Sequence, residues 1–355
     1  MFKNFSFLLI ALFLVSCESD SYDLVIQNGI IYDGSGSESE SVDIGIIGNQ
    51  IIKVGKINSK NSLKIIDASG LVVSPGFIDT HAHLDPMSNF IKLSNGESHV
   101  RQGVTTSFGG PDGRGVPLKY GFKEFLDSIE KVGVGMNVGF LTGHNKIRRV
   151  VMNLDNREPT EEELERMKNL ASKAMDEGAF GISTGLKYLP GNFSKVDEVI
   201  EISKEISKKG GVYTSHLRDE GLKIIEAVNE AIKISKDADI SVVLTHHKVI
   251  GKPMWGKSSI TLSLIDSARQ KGIKVMADQY PYNASHTGIN VLIPTWARAG
   301  GSQEFKDRVS DKSTREKIEK EIVFNILNDR GGNDLNRVQF SRVSWKPELE
   351  GKTLK

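Results

Sequence analysis

The chain has 355 residues, with 46 basic and 45 acidic side chains and a net charge of +1. Nothing in that balance argues for a nucleic-acid partner or an acidic partner surface. The length allows a large core, or one barrel with a small domain, and the single cysteine excludes an intramolecular disulfide framework.

That cysteine stands near the start. Met1-Phe2-Lys3 supplies a positive opening, residues 5–13 are mostly apolar, and Leu14-Val15-Ser16-Cys17 follows. This is the layout of a secretory signal, too short to be read as a membrane span. Leu-x-Ser-Cys resembles the bacterial lipobox. It implies a signal peptide over residues 1–16, lipidation of Cys17 and a short acidic tether over 17–21. The protein would then be exported and anchored to a membrane, in the periplasm or on the cell surface.

Short strands with turn signals fill residues 22–76. The first runs to Asn28-Gly29, a dipeptide that favours hairpin turns. Residues 41–47 and 50–55 flank a second turn at Gly48-Asn49, and residues 63–67 lead into an apolar run over 71–78. The expectation is a small antiparallel module, a β-sandwich.

From residue 77 apolar strands alternate with helices at βα spacing. The strand candidates are 76–83, 104–110, 137–143, 178–185, 211–216, 240–246 and 274–280. Among the helices, Thr160 can cap the one that follows it and Glu163 completes a capping box. Acids load its positive end, and Gly178 stops it. Two further helices are expected over 197–209 and 222–236. Seven strands are one short of a closed parallel barrel. The predicted fold is therefore a (β/α)8-type TIM barrel over residues 77–290 with its eighth strand missing. The tail, residues 291–355, holds an amphipathic helix over 304–328 and a short strand over 337–343, but no eighth unit.

Chemistry concentrates where these strands end. Side chains in a strand alternate faces, so His81 and His83 point one way and Ala82 the other. Two adjacent imidazoles can clamp a divalent ion. Asp112, His144, His216, His246, Asp278 and Tyr280 also fall at or just past strand ends, the edge at which parallel barrels gather their active sites. Six of the eight histidines are so placed, which scatter would not favour. A bound metal acidifies water and polarises a carbonyl, as amide hydrolysis requires. Histidine and carboxylate ligands favour zinc and also accept cobalt, nickel or manganese.

These segments resemble the amidohydrolase superfamily and, within it, the N-acyl-D-amino-acid deacylases. The general part is Pro75-Gly76-Phe77-Ile78-Asp79-Thr80-His81-Ala82-His83. The more specific parts are Gly103-Val104-Thr105-Thr106, Gly143-His144, the run from Gly181 to Tyr188, Ser215-His216-Leu217-Arg218-Asp219-Glu220, Thr245-His246-His247-Lys248, Trp255-Gly256 and Asp278-Gln279-Tyr280-Pro281-Tyr282. The resemblance covers residues 22–355.

The resemblance implies zinc-dependent hydrolysis of N-acyl-D-amino acids to a carboxylate and a D-amino acid. His216 and His246 would hold a tight zinc, and His81 and His83 a weaker second metal. Lys248 and Tyr280 would hold the substrate's carboxylate and amide. His247 reads as a packing neighbour, Arg218 and Glu220 as a supporting ion pair, Tyr188 and Tyr282 as wall, and His144 stays open between site and loop. Asp85 is either support for the histidines or a loop acid.

Two departures stand out. The related deacylases place a cysteine ligand after the second barrel strand, where Asp112 stands here; a carboxylate also ligates zinc. Their catalytic aspartate, the general acid and base, lies on the eighth strand, beyond Lys355. The chain thus reads as C-terminally truncated, with low stability and little turnover expected of it. Two other functions remain open: a cyclic-amide hydrolase or dipeptidase with Lys187 carboxylated, and an inactive or ligand-binding surface lipoprotein.

Overall fold

The computed structural model describes residues 21–84, 94–116, 121–330, 332 and 334–355. The expected signal peptide, Cys17 and Asp85 lie outside the described residues. The chain divides after Gly76 into two compact units.

The first unit contains strands β1 (Leu24–Ile31), β2 (Glu40–Ile47), β3 (Gln50–Gly55), β4 (Lys64–Asp67) and β5 (Val72–Val73). Gly48-Asn49 makes the expected turn between β2 and β3. Asn28-Gly29 does not turn. The chain runs straight through it as one strand with a bulge, where the register shifts between Ile26 and Gly29 and Asn28 adopts φ 62. The Asn28 side-chain amide donates to Asp67 Oδ1 at 3.0 Å, fixing the bulge. Gly29 is required there, because a Cβ would stand 2.6 Å from Val73 Cγ2. The first half of β1 therefore pairs with β4 and the second half with β5, both in parallel. The module is a single mixed sheet of five strands among the described residues, in place of the antiparallel sandwich expected.

The second unit alternates strand and helix. In chain order it holds β6 (Phe77–Asp79), α1 (Glu97–Val100), β7 (Val104–Gly109), α2 (Phe122–Val132), β8 (Asn137–Phe140), β9 (Thr142–Gly143), α3 (His144–Met152), α4 (Glu161–Asp176) and β10 (Gly181–Gly185). It continues with α5 (Val196–Ser207), β11 (Val212–His216), α6 (Ile224–Asp237), β12 (Val242–Leu244), α7 (Ser258–Gln270), β13 (Val275–Ala277), α8 (Ser302–Ser310) and α9 (Lys312–Asn328).

All strand pairs here are parallel, in the orders β6-β7-β8 and β9-β10-β11-β12-β13. The strand expected over 137–143 is interrupted at Leu141, giving β8 and β9. Sequential parallel neighbours with helices between them form a barrel-type α/β arrangement.

Helices α5 and α6 are amphipathic at the helical period. Val199, Ile202 and Ile206 of α5 are fully buried, as are Ile224, Val228 and Ile234 of α6. Each such side chain contributes roughly 1.5–3 kcal/mol of burial. Thr160 and Glu163 form both halves of the expected capping box at α4.

The tail differs from its prediction. The helix expected over 304–328 is broken at Asp311, whose side chain accepts from Thr314 N at 2.8 Å and starts α9 afresh. The strand expected over 337–343 is reduced to one antiparallel bridge, Gln339 to Thr353, beside a short turn of helix at Leu335–Arg337.

Candidate metal centre

The histidines and Asp112 converge beyond the strand ends of the second unit. β6 ends at Asp79, short of the strand expected over 76–83. The chain bends at Thr80-His81, where His81 N donates to Asp79 Oδ1 at 3.0 Å, and Ala82 N donates to Phe108 O at 2.9 Å. Ala82 is buried, while the His81 and His83 rings both reach Asp112. His81 Nε2 lies 3.6 Å from Asp112 Oδ1, and His83 Nε2 lies 3.2 Å from Asp112 Oδ2.

Asp112 sits in the loop after β7 with left-handed backbone, φ 56. Non-glycine residues rarely hold that conformation without outside support. The support is visible. Gly113 N donates to Ser183 Oγ at 3.0 Å, and Ser183 Oγ donates to Gly110 O at 2.6 Å. Asn145 clamps the neighbouring strand end, donating to Gly185 O at 2.9 Å and accepting from Gly185 N at 3.0 Å. A Cβ on Gly113, itself at φ 73, would meet Asn145 Oδ1 at 2.0 Å. Only glycine lets the loop pass there.

His216 ends β11, and its Nδ1 is 3.4 Å from Asp112 Oδ1. His246 follows β12 with φ 39. Its Nε2 is 3.5 Å from Asp112 Oδ1 and 2.7 Å from His216 Nδ1. Asp278, just past β13, accepts from the His246 backbone N–H and lies 3.7 Å from His81 Nδ1. Two candidate ligand groups result: His81, His83 and Asp112, and Asp112, His216 and His246. In each, the ligand atoms lie within 4.8 Å of one another. Asp112 belongs to both.

The electrostatics suit a cation. Asp112 Oδ1, His81 Nδ1, His216 Nε2 and Asp278 Oδ2 are buried with no hydrogen-bond partner among the described residues. Buried polar atoms left so are costly. Burial works against charge on Asp112, yet contacts with His216, His246, His81 and His83 hold it well below the usual carboxylate range. Burial pulls His81 down, but Asp112 and Asp278 outweigh it and raise the imidazole to about 9. Burial lowers His216 and favours the neutral form that ligates metal. Buried carboxylate and imidazole atoms aimed at one another are the donor set of a zinc-type site.

Lys248 stands beside this cluster. Its Nζ pairs with Glu220 and lies 3.0 Å from His246 Nδ1. It is 5.5 Å from the centre of the Tyr280 ring, which lies 6.4 Å from the His246 ring. The structure thus brings Lys248 and Tyr280 together at the edge of the histidine cluster.

Glu220 does not form the expected ion pair with Arg218. Arg218 reaches outward to Glu230, donating from Nη2 at 2.7 Å and from Nε at 2.9 Å. Glu220 turns inward, is 3% exposed, and lies 3.0 Å from His246 Nδ1. Arg330, from the tail, approaches it at 3.8 Å. The sequence offered one hint, since Glu220 stands four residues after His216. Nothing in it pointed to Arg330.

The remaining candidates fall elsewhere. His144 is buried in a triad with Glu198, at 2.8 Å, and Arg148. His247 packs as expected and bonds Thr261 Oγ1 at 2.8 Å. Lys187, the lysine a cyclic-amide hydrolase would carboxylate, is tied to Asp329 at 3.1 Å. Tyr188 walls the site with its ring 4.5 Å from that of His216. A cavity of about 880 Å³ opens on Asp112 and Tyr188.

Comparison with known proteins matches residues 64–228 to the amidohydrolase family. A D-aminoacylase of Alcaligenes xylosoxydans xylosoxydans is 35% identical over 290 residues, covering 76% of this chain and 59% of the relative. The chain thus spans less than two thirds of the length of the curated relatives it matches. A solved D-aminoacylase, described through its binuclear metal centre, is 31% identical with a TM-score of 0.72, covering 84% of this chain and 69% of its own. The N-acyl-D-glutamate deacylase of Bordetella bronchiseptica, solved with zinc and a phosphonate inhibitor, is 27% identical with a TM-score of 0.75 and coverages of 94% and 66%.

Proposed function

This chain belongs to the amidohydrolase family, alongside the D-aminoacylases, and from that we propose that it serves zinc-dependent hydrolysis of N-acyl-D-amino acids to a carboxylate and a D-amino acid. The observation that carries the reading is Asp112, a buried carboxylate shared by two histidine groups. Asp112, His216 and His246 would hold the tight zinc, and His81 and His83 a weaker second ion with the same carboxylate. A divalent ion bound there supplies acidity to water and Lewis acidity to an amide carbonyl.

The chain's own residues do the rest. Asp278 holds the His246 backbone through its N–H and faces His81 Nδ1 at 3.7 Å. Glu220 faces His246 Nδ1, which leaves Nε2 turned toward Asp112. Lys248 and Tyr280 present an ammonium and a phenol beside the cluster, suited to the substrate's carboxylate. The cavity on Asp112 gives room for an acyl arm or a side chain.

The test is direct. Purified protein is loaded with zinc, its metal content is measured, and it is offered N-acetyl-D-amino acids, their L enantiomers, hydantoins and isoaspartyl dipeptides. Bound zinc with binding or hydrolysis confined to the N-acetyl-D compounds is expected. Zinc-dependent turnover of a hydantoin instead, or no zinc retained, would overturn the reading.

We also propose export with lipid anchoring at Cys17, supported by the apolar leader and Leu14-Val15-Ser16-Cys17. Cys17→Ala should release the protein from the membrane fraction. A wild-type protein found soluble in the cytoplasm removes the proposal.

A further inference from the structure

We propose that the cavity beside Asp112 receives a second carboxylate of the substrate, so that the preferred substrates are N-acyl-D-amino acids bearing two negative charges. The inference rests on the deacylase reading and narrows its substrate class.

The cavity lining carries four cationic side chains, Arg114, Lys146, Arg149 and Arg298, and a single carboxylate, Asp112. That carboxylate is already engaged by four histidines. The cations come from three places: the loop after β7, helix α3, and the segment before α8. Lys146 and Arg149 are three residues apart on α3 and so share a face. Among the described residues no carboxylate forms an ion pair with Lys146, Arg149 or Arg298; Arg298 donates only to the Asn290 carbonyl, at 3.3 Å. This contrasts with the lysines of the outer helix faces, where Lys168, Lys204, Lys208 and Lys233 each meet an acid within one turn.

Lys146 and Arg298 are half-buried while Arg114 and Arg149 are exposed, and like charges along one concave wall repel, most strongly where water is partly excluded. An anion in the cavity relieves that repulsion. Gly301 and Ser302 also line it, so the positive end of the nine-residue helix α8 faces the same space. Burial lowers the Arg298 guanidinium from its ordinary range, a cost that an anion beside it would offset. Phe125, Phe140 and Ile293 supply an apolar wall for a methylene chain.

This is a different place from the one suited to the α-carboxylate. Lys248 and Tyr280 are absent from the cavity lining and stand beside His246. A substrate whose first carboxylate lies at Lys248 would carry its second one past Asp112. The second charge could sit on the amino-acid side chain or on the acyl arm, and the chemistry of recognition is the same.

The experiment titrates the zinc-loaded protein by calorimetry with three probes. N-acetyl-D-glutamate carries the extra charge on the side chain, N-succinyl-D-leucine carries it on the acyl arm, and N-acetyl-D-leucine lacks it. At low salt at least one dianion should bind about tenfold tighter than N-acetyl-D-leucine. Which dianion gains identifies the arm that enters the cavity. In the Lys146→Gln/Arg149→Gln double variant the preference should fall to within twofold, and Arg298→Gln should reduce it independently. Equal binding of all three probes overturns the second-carboxylate site and leaves the deacylase reading intact, as does a preference that survives both variants in folded protein. Failure of all three probes to bind zinc-loaded protein removes the deacylase reading and this inference with it.

Discussion

Asp112 Oδ1 and His246 Nε2 meet at 3.5 Å, each on a left-handed residue held in place by a neighbouring strand end. Ser183 and Asn145 brace the first, and the Asp278 carboxylate braces the second. These hydrogen bonds hold the two left-handed residues so that their side chains face one another.

Asp112 can be tested by exchange. Asp112→Ala should weaken zinc binding by at least the roughly 10–100-fold that loss of a supporting residue costs. Asp112→Cys supplies a thiolate ligand and should retain tight zinc. Competition against a chromogenic chelator measures both, and equal affinity of the alanine variant and wild type would remove Asp112 from the ligand set.

Gly113→Ala places a methyl 2.0 Å from Asn145 Oδ1 at a backbone of φ 73. The loop must shift, carrying Asp112 with it. Stability should fall by about 1–3 kcal/mol, and zinc affinity by about tenfold or more. Urea denaturation of the metal-free protein separates the two effects. A stability loss with unchanged zinc affinity would show that the loop tolerates the methyl without moving the carboxylate.

Glu220→Gln removes the carboxylate that faces Lys248, His246 and Arg330. Leaving buried cations without their acid costs roughly 3–5 kcal/mol, and the lower end applies because Lys248 keeps some water. Burial would raise Glu220, but His216, His246 and Lys248 hold it well below its ordinary value, so it stays charged near neutral pH. A variant as stable as wild type and equal in zinc affinity would mean that the charge holds nothing in place.

The triad of His144, Glu198 and Arg148 sets an acid limit on stability. Burial raises Glu198, but His144 and Arg148 more than compensate, and its folded value lies below the ordinary 4.5. A group lowered on folding contributes stability that is full above 4.5 and is lost as pH falls through the folded value. Glu198→Gln should therefore lose about 3–5 kcal/mol at neutral pH, with Arg148 left uncompensated. Its unfolding free energy should fall less steeply with acid than that of wild type. Parallel pH profiles for the two proteins would remove Glu198 from the acid transition.

Much of this was legible along the chain. Helical periodicity located α5 and α6 close to where they lie, and the histidine pair was visible in the sequence, although His81 and His83 lie past the end of β6 and not within a strand. Thr160 and Glu163 announced their cap. Local signals misled where a distant contact overrode them. Asn28-Gly29 forms a bulge because Asp67 and Val73 lie across from it. Asp311 breaks a continuous helical pattern because its side chain caps better than it continues a helix.

The sequence by itself determined the alternation of strand and helix and the histidines that follow the strands, because residue periodicity separates the two kinds of element; the strand ends themselves moved by up to four residues. Tertiary structure alone decided that Asp112 joins both histidine groups, that Glu220 turns from Arg218 toward Lys248, and that cations from three segments ring one cavity. Those pairings depend on loop dihedrals and on which strand ends become neighbours, and neither is written in the spacing of residues along a single element.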